Sequence, residues 1–179
     1  MRKINNTIII LLIISCYVLG IYNLKHQLLV RFLIDISVVP IVFLPKLLLK
    51  FKVKIDNKLE LIYLIFIFFA YFLGTVLNFY DRICIYDTLM HFLSGIFEAY
   101  IAISIYKGKN IIINSIFILG FVSLLSIGWE IFEYTSSIIF NVDPQKVVET
   151  GVNDTMKDLI VALFGGLLLF IINKNKRIY

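Results

Sequence analysis

The amino-acid sequence predicts an all-α, polytopic membrane protein with six transmembrane helices and both termini in the cytoplasm. Hydrophobic residues make up 60% of its 179 residues and the mean hydropathy is +0.94, whereas soluble domains are usually about 45–50% apolar. Six apolar stretches approach or reach the length of about 20 residues that a bilayer-spanning helix needs. The basic residues fall between these stretches, so the chain is expected to form a single transmembrane domain over residues 1–179.

Each apolar stretch is interpreted as one helix, because lipid cannot satisfy the hydrogen bonds of an open backbone. The predicted spans lie at about 4–24, 27–49, 59–80, 86–106, 111–134 and 153–172. Pro40 and Pro45 are expected to kink the second span. The apolar part of the sixth span, Leu159 to Ile172, would be only ~21 Å long at about 1.5 Å per residue. We therefore expect this helix to begin near Asn153.

The first span has a competing interpretation as a lipoprotein signal that ends at Cys16. A basic start at residues 1–3 precedes an apolar run, and residues 13–16 are similar to the site at which such signals are cleaved and acylated. The apolar run continues past Cys16 to Tyr22, however, and this continuation favours a retained span.

The distribution of Lys and Arg predicts the orientation in the membrane. With the N-terminus inside, the cytoplasmic segments contain Arg2, Lys3, Lys46, Lys50, Lys52, Lys54, Lys58, Lys107, Lys109, Lys174, Lys176 and Arg177. The outer segments contain Lys25, Arg31, Arg82, Lys146 and Lys157. The basic residues are thus concentrated on one side, and membrane topology explains the net charge of +5 without a nucleic-acid partner.

Acidic residues and one histidine recur at helical spacing in the last three spans. The pairs are Asp87 with His91, Glu130 with Glu133, and Asp154 with Asp158. Residues three or four positions apart lie on one helix face, and the predicted topology places all three pairs at the outer side of the membrane. Glu98 continues the face of the fourth span about 16 Å deeper. Because charges inside a span are costly, these residues are candidates for a functional site.

A cluster of carboxylates with one imidazole needs shared protons or a bound cation to offset its repulsion. The candidate metal ligands are Asp87, His91, Glu130, Asp154 and Asp158. Mixed His and carboxylate ligands suit Zn²⁺, Mn²⁺ or Fe²⁺, and a carboxylate-only subset suits Mg²⁺. Two structural alternatives stay open at this stage. His91 can pin the helix through a bond to Asp87, and Asp154 can act as an N-terminal cap.

Three functions compete for this site. In a metal-dependent hydrolase or transferase acting on a lipid or lipid-linked phosphate, Glu130 or Glu133 would act as general base, and Arg31 or Arg82 would hold the phosphate. In a proton- or cation-coupled transporter, Glu98 would be a relay inside the membrane. In a non-catalytic envelope protein, the polar cluster would only lock the packing of the helices.

The sequence also resembles a family of bacterial inner-membrane proteins, the YjdF-like group, over roughly residues 30–172. The resemblance rests on residues 73–80 and 86–95, on the segment Trp129–Tyr134, and on the segment Asn153–Leu159. It implies a multi-pass protein of the bacterial inner membrane with its polar signature on the last three spans, and it implies no particular reaction. A more distant similarity to the VanZ-like proteins, which are linked to teicoplanin resistance, implies a role in the cell envelope.

Overall fold

The computed structural model describes residues 1–50, 55–106, 108, 110–141 and 143–176. Five basic residues used for the orientation, Lys52, Lys54, Lys107, Lys109 and Arg177, lie outside the described residues. All the regular elements of the described residues are helical, and six helices are long and apolar enough to cross a membrane. This confirms the predicted all-α fold with six spans, and the orientation of the spans stays a prediction.

The helices are α1 (Arg2–Lys25), α2 (Leu29–Ile36), α3 (Val38–Lys50), α4 (Asn57–Ile67, continued as a π-helix over Phe68–Val76), α5 (Phe79–Arg82), α6 (Tyr86–Ile105), α7 (Ile111–Phe140), α8 (Val147–Thr150) and α9 (Asn153–Lys176). The membrane-spanning stretches are α1, α2 with α3, α4 with its π-helical continuation, α6, α7 and α9. Helix α7 continues to Phe140, past the predicted end of its span at residue 134.

The second span is interrupted at Ser37, between α2 and α3. A proline ring meets the carbonyl group four residues before it, which for Pro40 is that of Ile36. The helix therefore stops at Ile36 and restarts with Pro40 in its first turn, where a missing N–H group loses no helical bond. Pro45, by contrast, lies inside α3 without interrupting it.

The described residues form two compact units, Met1–Tyr86 and Asp87–Tyr179. In the first unit the buried apolar core consists of Ile9, Leu12, Cys16, Val38, Val42 and Leu64. Two polar bonds support it, a buried one in which the Asn5 amide donates to Glu60 (2.7 Å) and a partly buried one in which the Asn23 amide donates to Asp35 (2.7 Å). Cys16 is fully buried in the middle of α1.

In the second unit, α6 and α9 approach so closely that their backbones are in contact. A Cβ atom added to Gly95 would overlap the carbonyl oxygen of Ala162, and one added to Gly165 would overlap that of Phe92. Small residues at such positions are what allow two membrane helices to approach this closely. A separate buried apolar cluster joins α6 to α7 through Ala99, Ala102, Ile118 and Val122.

Candidate metal centre

Three buried side chains of the second unit converge at the beginning of α6 and α9. His91 Nε2 lies 3.5 Å from Asp87 Oδ1 and 3.8 Å from Asp158 Oδ2. One possible ligand atom from each residue falls within 4.8 Å of the other two. Asp87 and His91 are each 8% exposed and Asp158 is 3% exposed. This cluster is the part of the sequence prediction that the structure brings together.

The close approach of α6 and α9 explains why these side chains meet. His91 and Asp158 each lie four residues before the Gly95–Ala162 contact, which is one helical turn on both helices. The His91–Asp158 pair therefore lies one turn away from the backbone contact on each helix. Asp87 lies a further turn before His91 and therefore extends the same face.

The three ligand atoms lie slightly farther apart than the ligands of a small divalent cation. A small movement of the side chains towards one another would let them bind one. Bonds of about 2.0–2.1 Å in a tetrahedral site separate neighbouring ligand atoms by about 3.3 Å. The distances of 3.5 and 3.8 Å from His91 are close to that value. Both exceed the usual range of about 2.7–3.2 Å for an N–H···O hydrogen bond. The imidazole is therefore placed between two carboxylates without a close hydrogen bond to either.

Glu130 on α7 lies beside this cluster and is 6% exposed. It is close enough to interact electrostatically with both His91 and Asp158. The Gln145 amide donates to Glu130 Oε2 (2.9 Å) and to its backbone carbonyl oxygen (3.1 Å). Among the described residues, Glu130 Oε1 and Asp158 Oδ1 are buried and have no hydrogen-bond partner. Buried polar atoms nearly always have a partner, and these two oxygens are free to accept a further hydrogen bond or to contact a cation.

Lys146, in the connection between α7 and α9, forms an ion pair with the other oxygen of Asp87. Its Nζ lies 3.2 Å from Asp87 Oδ2, and its side chain is 30% exposed. Burial by itself would lower the pKa of the Lys146 ammonium group, but the neighbouring carboxylates, chiefly Asp87, outweigh it and the pKa is raised. Lys146 therefore carries a positive charge in the site at neutral pH.

Two further predicted site residues have partners of their own. Asp154 Oδ1 accepts from Lys157 Nζ at 3.0 Å, and Glu133 Oε1 accepts from the Trp129 indole N–H at 2.8 Å. Asp154 is 5% exposed. In the described part of the chain the 4.8 Å cluster contains Asp87, His91 and Asp158 and includes neither Asp154 nor Glu130. Lys157 lies one turn after Asp154 on α9 and neutralises it there.

The site as a whole has an excess of negative charge. Lys146 and Lys157 interact electrostatically with Asp87, Asp154 and Asp158. Glu130 and Glu133 interact with the same cluster of carboxylates. Five carboxylates against two ammonium groups leave a formal excess of three negative charges when the imidazole is neutral. An excess of this kind in a buried site favours a cation or bound protons.

Below the cluster, a polar contact inside the membrane span joins α6 to α7. Ser126 Oγ donates to Glu98 Oε2 at 3.3 Å. Glu98 lies seven residues beyond His91 on α6, or about 10 Å by helix rise. One residue beyond it the buried apolar cluster of Ala99, Ala102, Ile118 and Val122 begins. Glu98 is thus the deepest acidic residue of α6, and the buried packing of α6 against α7 beyond it is apolar at these four residues.

The arginines predicted as phosphate contacts, Arg31 and Arg82, are exposed side chains of the first unit. Arg31 interacts electrostatically with Asp35. Their role as substrate contacts stays a prediction. The sequence prediction did not include Gln145 and Lys146 among the site residues, since a short connection has no helical period from which the direction of a side chain can be inferred.

The chain belongs to the family described as "Predicted membrane protein (DUF2238)", whose model matches residues 4–175. This agrees with the resemblance to the YjdF-like group. A protein of Thermotoga maritima described as "Uncharacterized protein" is 32% identical over 100 residues, which are 52% of this chain and 50% of that relative. The chain thus spans about half the length of that relative. No solved structure matches the chain. The protein is a multi-pass membrane protein, and its environment is the lipid bilayer.

Proposed function

We propose that the protein binds a divalent cation through Asp87, His91 and Asp158 and uses it to hydrolyse or transfer a phosphate group on a lipid or lipid-linked substrate. The observation that carries the proposal is the buried triad itself, with ligand atoms within 4.8 Å of one another and an unpartnered oxygen on Asp158 among the described residues. One imidazole and two carboxylates suit Zn²⁺, Mn²⁺ or Fe²⁺ better than Mg²⁺, which prefers oxygen ligands.

The number of ligands favours a catalytic site over a structural one. Structural zinc sites are closed by four protein ligands, whereas catalytic sites have about three and leave a position for water or substrate. A bound cation would lower the pKa of such a water and polarise a phosphoryl oxygen. Glu130 is the better candidate for the general base, because its Oε1 is buried and unpartnered in the described structure while Gln145 holds Oε2. Glu133, whose carboxylate accepts from Trp129, is the second candidate.

The location follows from the topology proposed from Lys and Arg, with both termini in the cytoplasm. The site then lies at the extracytoplasmic side of the bacterial inner membrane, at the level of the outer leaflet. A substrate with a lipid anchor would reach it from within the bilayer. The role of Arg31 and Arg82 as phosphate contacts stays a proposal from the sequence.

The second candidate function is transport of protons or cations, and the Glu98–Ser126 contact within the membrane span favours it. The apolar cluster that follows Glu98 weighs against a continuous polar path through this unit. Glu98→Gln separates the two functions. A carrier with this variant would lose ion flux in proteoliposomes, whereas an enzyme acting at the outer surface would keep its metal and most of its turnover.

The experiment that tests the proposal compares the two histidines of the chain. Purified wild-type protein should retain a divalent metal at a ratio of about one per chain, measured by elemental analysis after dialysis. His91→Ala should lose this metal, while His26→Ala should keep it, because His26 is exposed in the first unit. A folded wild-type protein that takes up no Zn²⁺, Mn²⁺ or Fe²⁺ would exclude the proposed metal centre.

The catalytic step has a separate test. Glu130→Gln retains the shape of the side chain and removes the base, so the variant should bind the metal and lose turnover of phosphate-bearing lipids. Loss of a positioned general base typically slows a reaction by about 100- to 10,000-fold. A Glu130→Gln variant that keeps wild-type turnover would rule out Glu130 as the base, and Glu133→Gln would then be the next variant to measure.

A further inference from the structure

Two lysines lie at the edge of the proposed metal centre, and each has N–H donors that its hydrogen bonds in the site do not use. Lys146 comes from the connection between α7 and α9, and Lys157 comes from the second turn of α9. Lys146 interacts electrostatically with Asp87, Asp154 and Asp158, and so does Lys157. Their side chains are 30% and 45% exposed, so both ammonium groups can be reached by a ligand.

The hydrogen bonds of these lysines leave most of their donors unused. An ammonium group has three N–H donors. In the described structure Lys146 donates one to Asp87 and Lys157 donates one to Asp154. The Asp87 carboxylate divides its two oxygens, with Oδ1 towards His91 and Oδ2 towards Lys146. A cation bound at Oδ1 would therefore have the Lys146 ammonium group beside it on the same carboxylate.

A cation held by three protein ligands still has open coordination positions. An anion that fills one of them next to two ammonium groups would meet three positive partners, namely the cation and the ammonium groups of Lys146 and Lys157. One oxygen can accept more than one bond, but three partners that each contact a separate oxygen require three terminal oxygens. A carboxylate or a phosphodiester offers two terminal oxygens, whereas a phosphomonoester offers three.

We propose that the site recognises the terminal phosphate of a phosphomonoester, with one oxygen on the cation and the others on Lys146 and Lys157. This inference rests on the proposed metal centre and makes it specific for monoester phosphate over diester phosphate. Lys146 and Lys157 act as substrate contacts and do not hold the metal ligands in position. Removing Lys146 should therefore leave the affinity for the metal unchanged or increase it, because one positive charge near the cation is lost.

The test uses the full chain in detergent, first with Mn²⁺ or Zn²⁺ alone and then with inorganic phosphate added to the metal-loaded protein. Isothermal titration should show phosphate binding to the wild type and binding at least 10-fold weaker to Lys146→Met and Lys157→Met. Lys146→Arg retains the charge and should keep most of the affinity. Lys174→Met changes an exposed lysine near the far end of α9 and should bind phosphate like the wild type.

Competition with vesicles then identifies the source of the phosphate. Phosphatidic acid carries a monoester and should displace inorganic phosphate, whereas phosphatidylglycerol carries a diester and should not. Stronger binding to phosphatidic acid vesicles than to inorganic phosphate supports a lipid headgroup, and equal binding supports a free phosphate. Equal competition by phosphatidylglycerol would overturn the inference.

Four other outcomes also contradict the inference, and they show which part of it fails. If the wild type binds no metal, the proposed metal centre fails and the phosphate site fails with it. If the metal binds but phosphate does not, or if the two methionine variants bind phosphate normally, only the phosphate site fails. If Lys146→Met loses the metal, Lys146 orients Asp87 and is not a substrate contact.

Discussion

The substitution Asp158→Asn separates a cation site from a purely structural polar cluster, because the two predict opposite changes in stability. The substitution retains the size of the side chain and removes one negative charge. The ligand oxygens of Asp87 and Asp158 lie within 4.8 Å of each other, and at an effective dielectric constant of about 20 two charges at that distance repel by about 3 kcal/mol. When no metal is bound, the variant should therefore be more stable than the wild type.

The size of the effect can be read from thermal unfolding in detergent. For a chain of about 150–250 residues, 1 kcal/mol shifts the melting temperature by about 2–4 °C, so full relief of the repulsion would raise it by about 6–12 °C in excess chelator. Shared protons in the wild type would reduce the increase but would not reverse its sign. Added Mn²⁺ or Zn²⁺ should stabilise the wild type and leave Asp158→Asn unchanged.

The control for Asp158→Asn is a variant at an exposed aspartate outside the cluster. Asp81→Asn removes an exposed aspartate of the first unit, and this variant should match the wild type with and without metal. If Asp158→Asn melts below the wild type in chelator, the carboxylate contributes a packing bond, and the reasoning that treats the cluster as repulsive is wrong.

Two further variants test how the site is built. Gly165→Leu should force α6 and α9 apart, since even a Cβ at this position overlaps the carbonyl oxygen of Phe92, and we expect about 1–3 kcal/mol of lost stability together with loss of metal in elemental analysis. Gly120→Ala, where a Cβ meets nothing within 4 Å, should retain both properties. Gln145→Ala removes the amide that donates to Glu130, and it should lower stability by about 1–3 kcal/mol in thermal unfolding. The same variant should reduce turnover more than metal content, and an unchanged turnover would contradict the role given to this amide.

The fold was more predictable from the sequence than the site, for a physical reason. A bilayer-spanning helix is specified by length and apolar composition, and both can be read directly from the chain. The spacing of Asp87 and His91 likewise determines that they share a face of α6. Which face of α9 packs against this face of α6 depends on the rotation of α9 about its own axis. The glycine contacts decide this rotation, and it selects Asp158 as a partner of His91 while Asp154 pairs with Lys157.

Polar residues in the connections between helices were the least predictable part of the site. Gln145 and Lys146 precede the short helix α8, where no period relates one residue to the next. Their direction depends on local bonds, among them the Asp143 carboxylate, which accepts from the backbone N–H groups of Val147 (2.8 Å) and Val148 (3.0 Å). The Lys and Arg count had placed Lys146 on the outer side, but no spacing in the sequence indicated that it would meet Asp87.

The packing of the second unit gives a final argument that its acidic cluster serves more than packing. The backbone contact at Gly95 and Ala162 already joins α6 to α9, and the buried apolar cluster joins α6 to α7. Neither contact needs a charged side chain. The carboxylates of Asp87 and Asp158 repel each other, and burying them adds a desolvation penalty. A bound proton or a cation would offset this cost, and the proposed divalent cation between the two carboxylates would do so while both stay ionised.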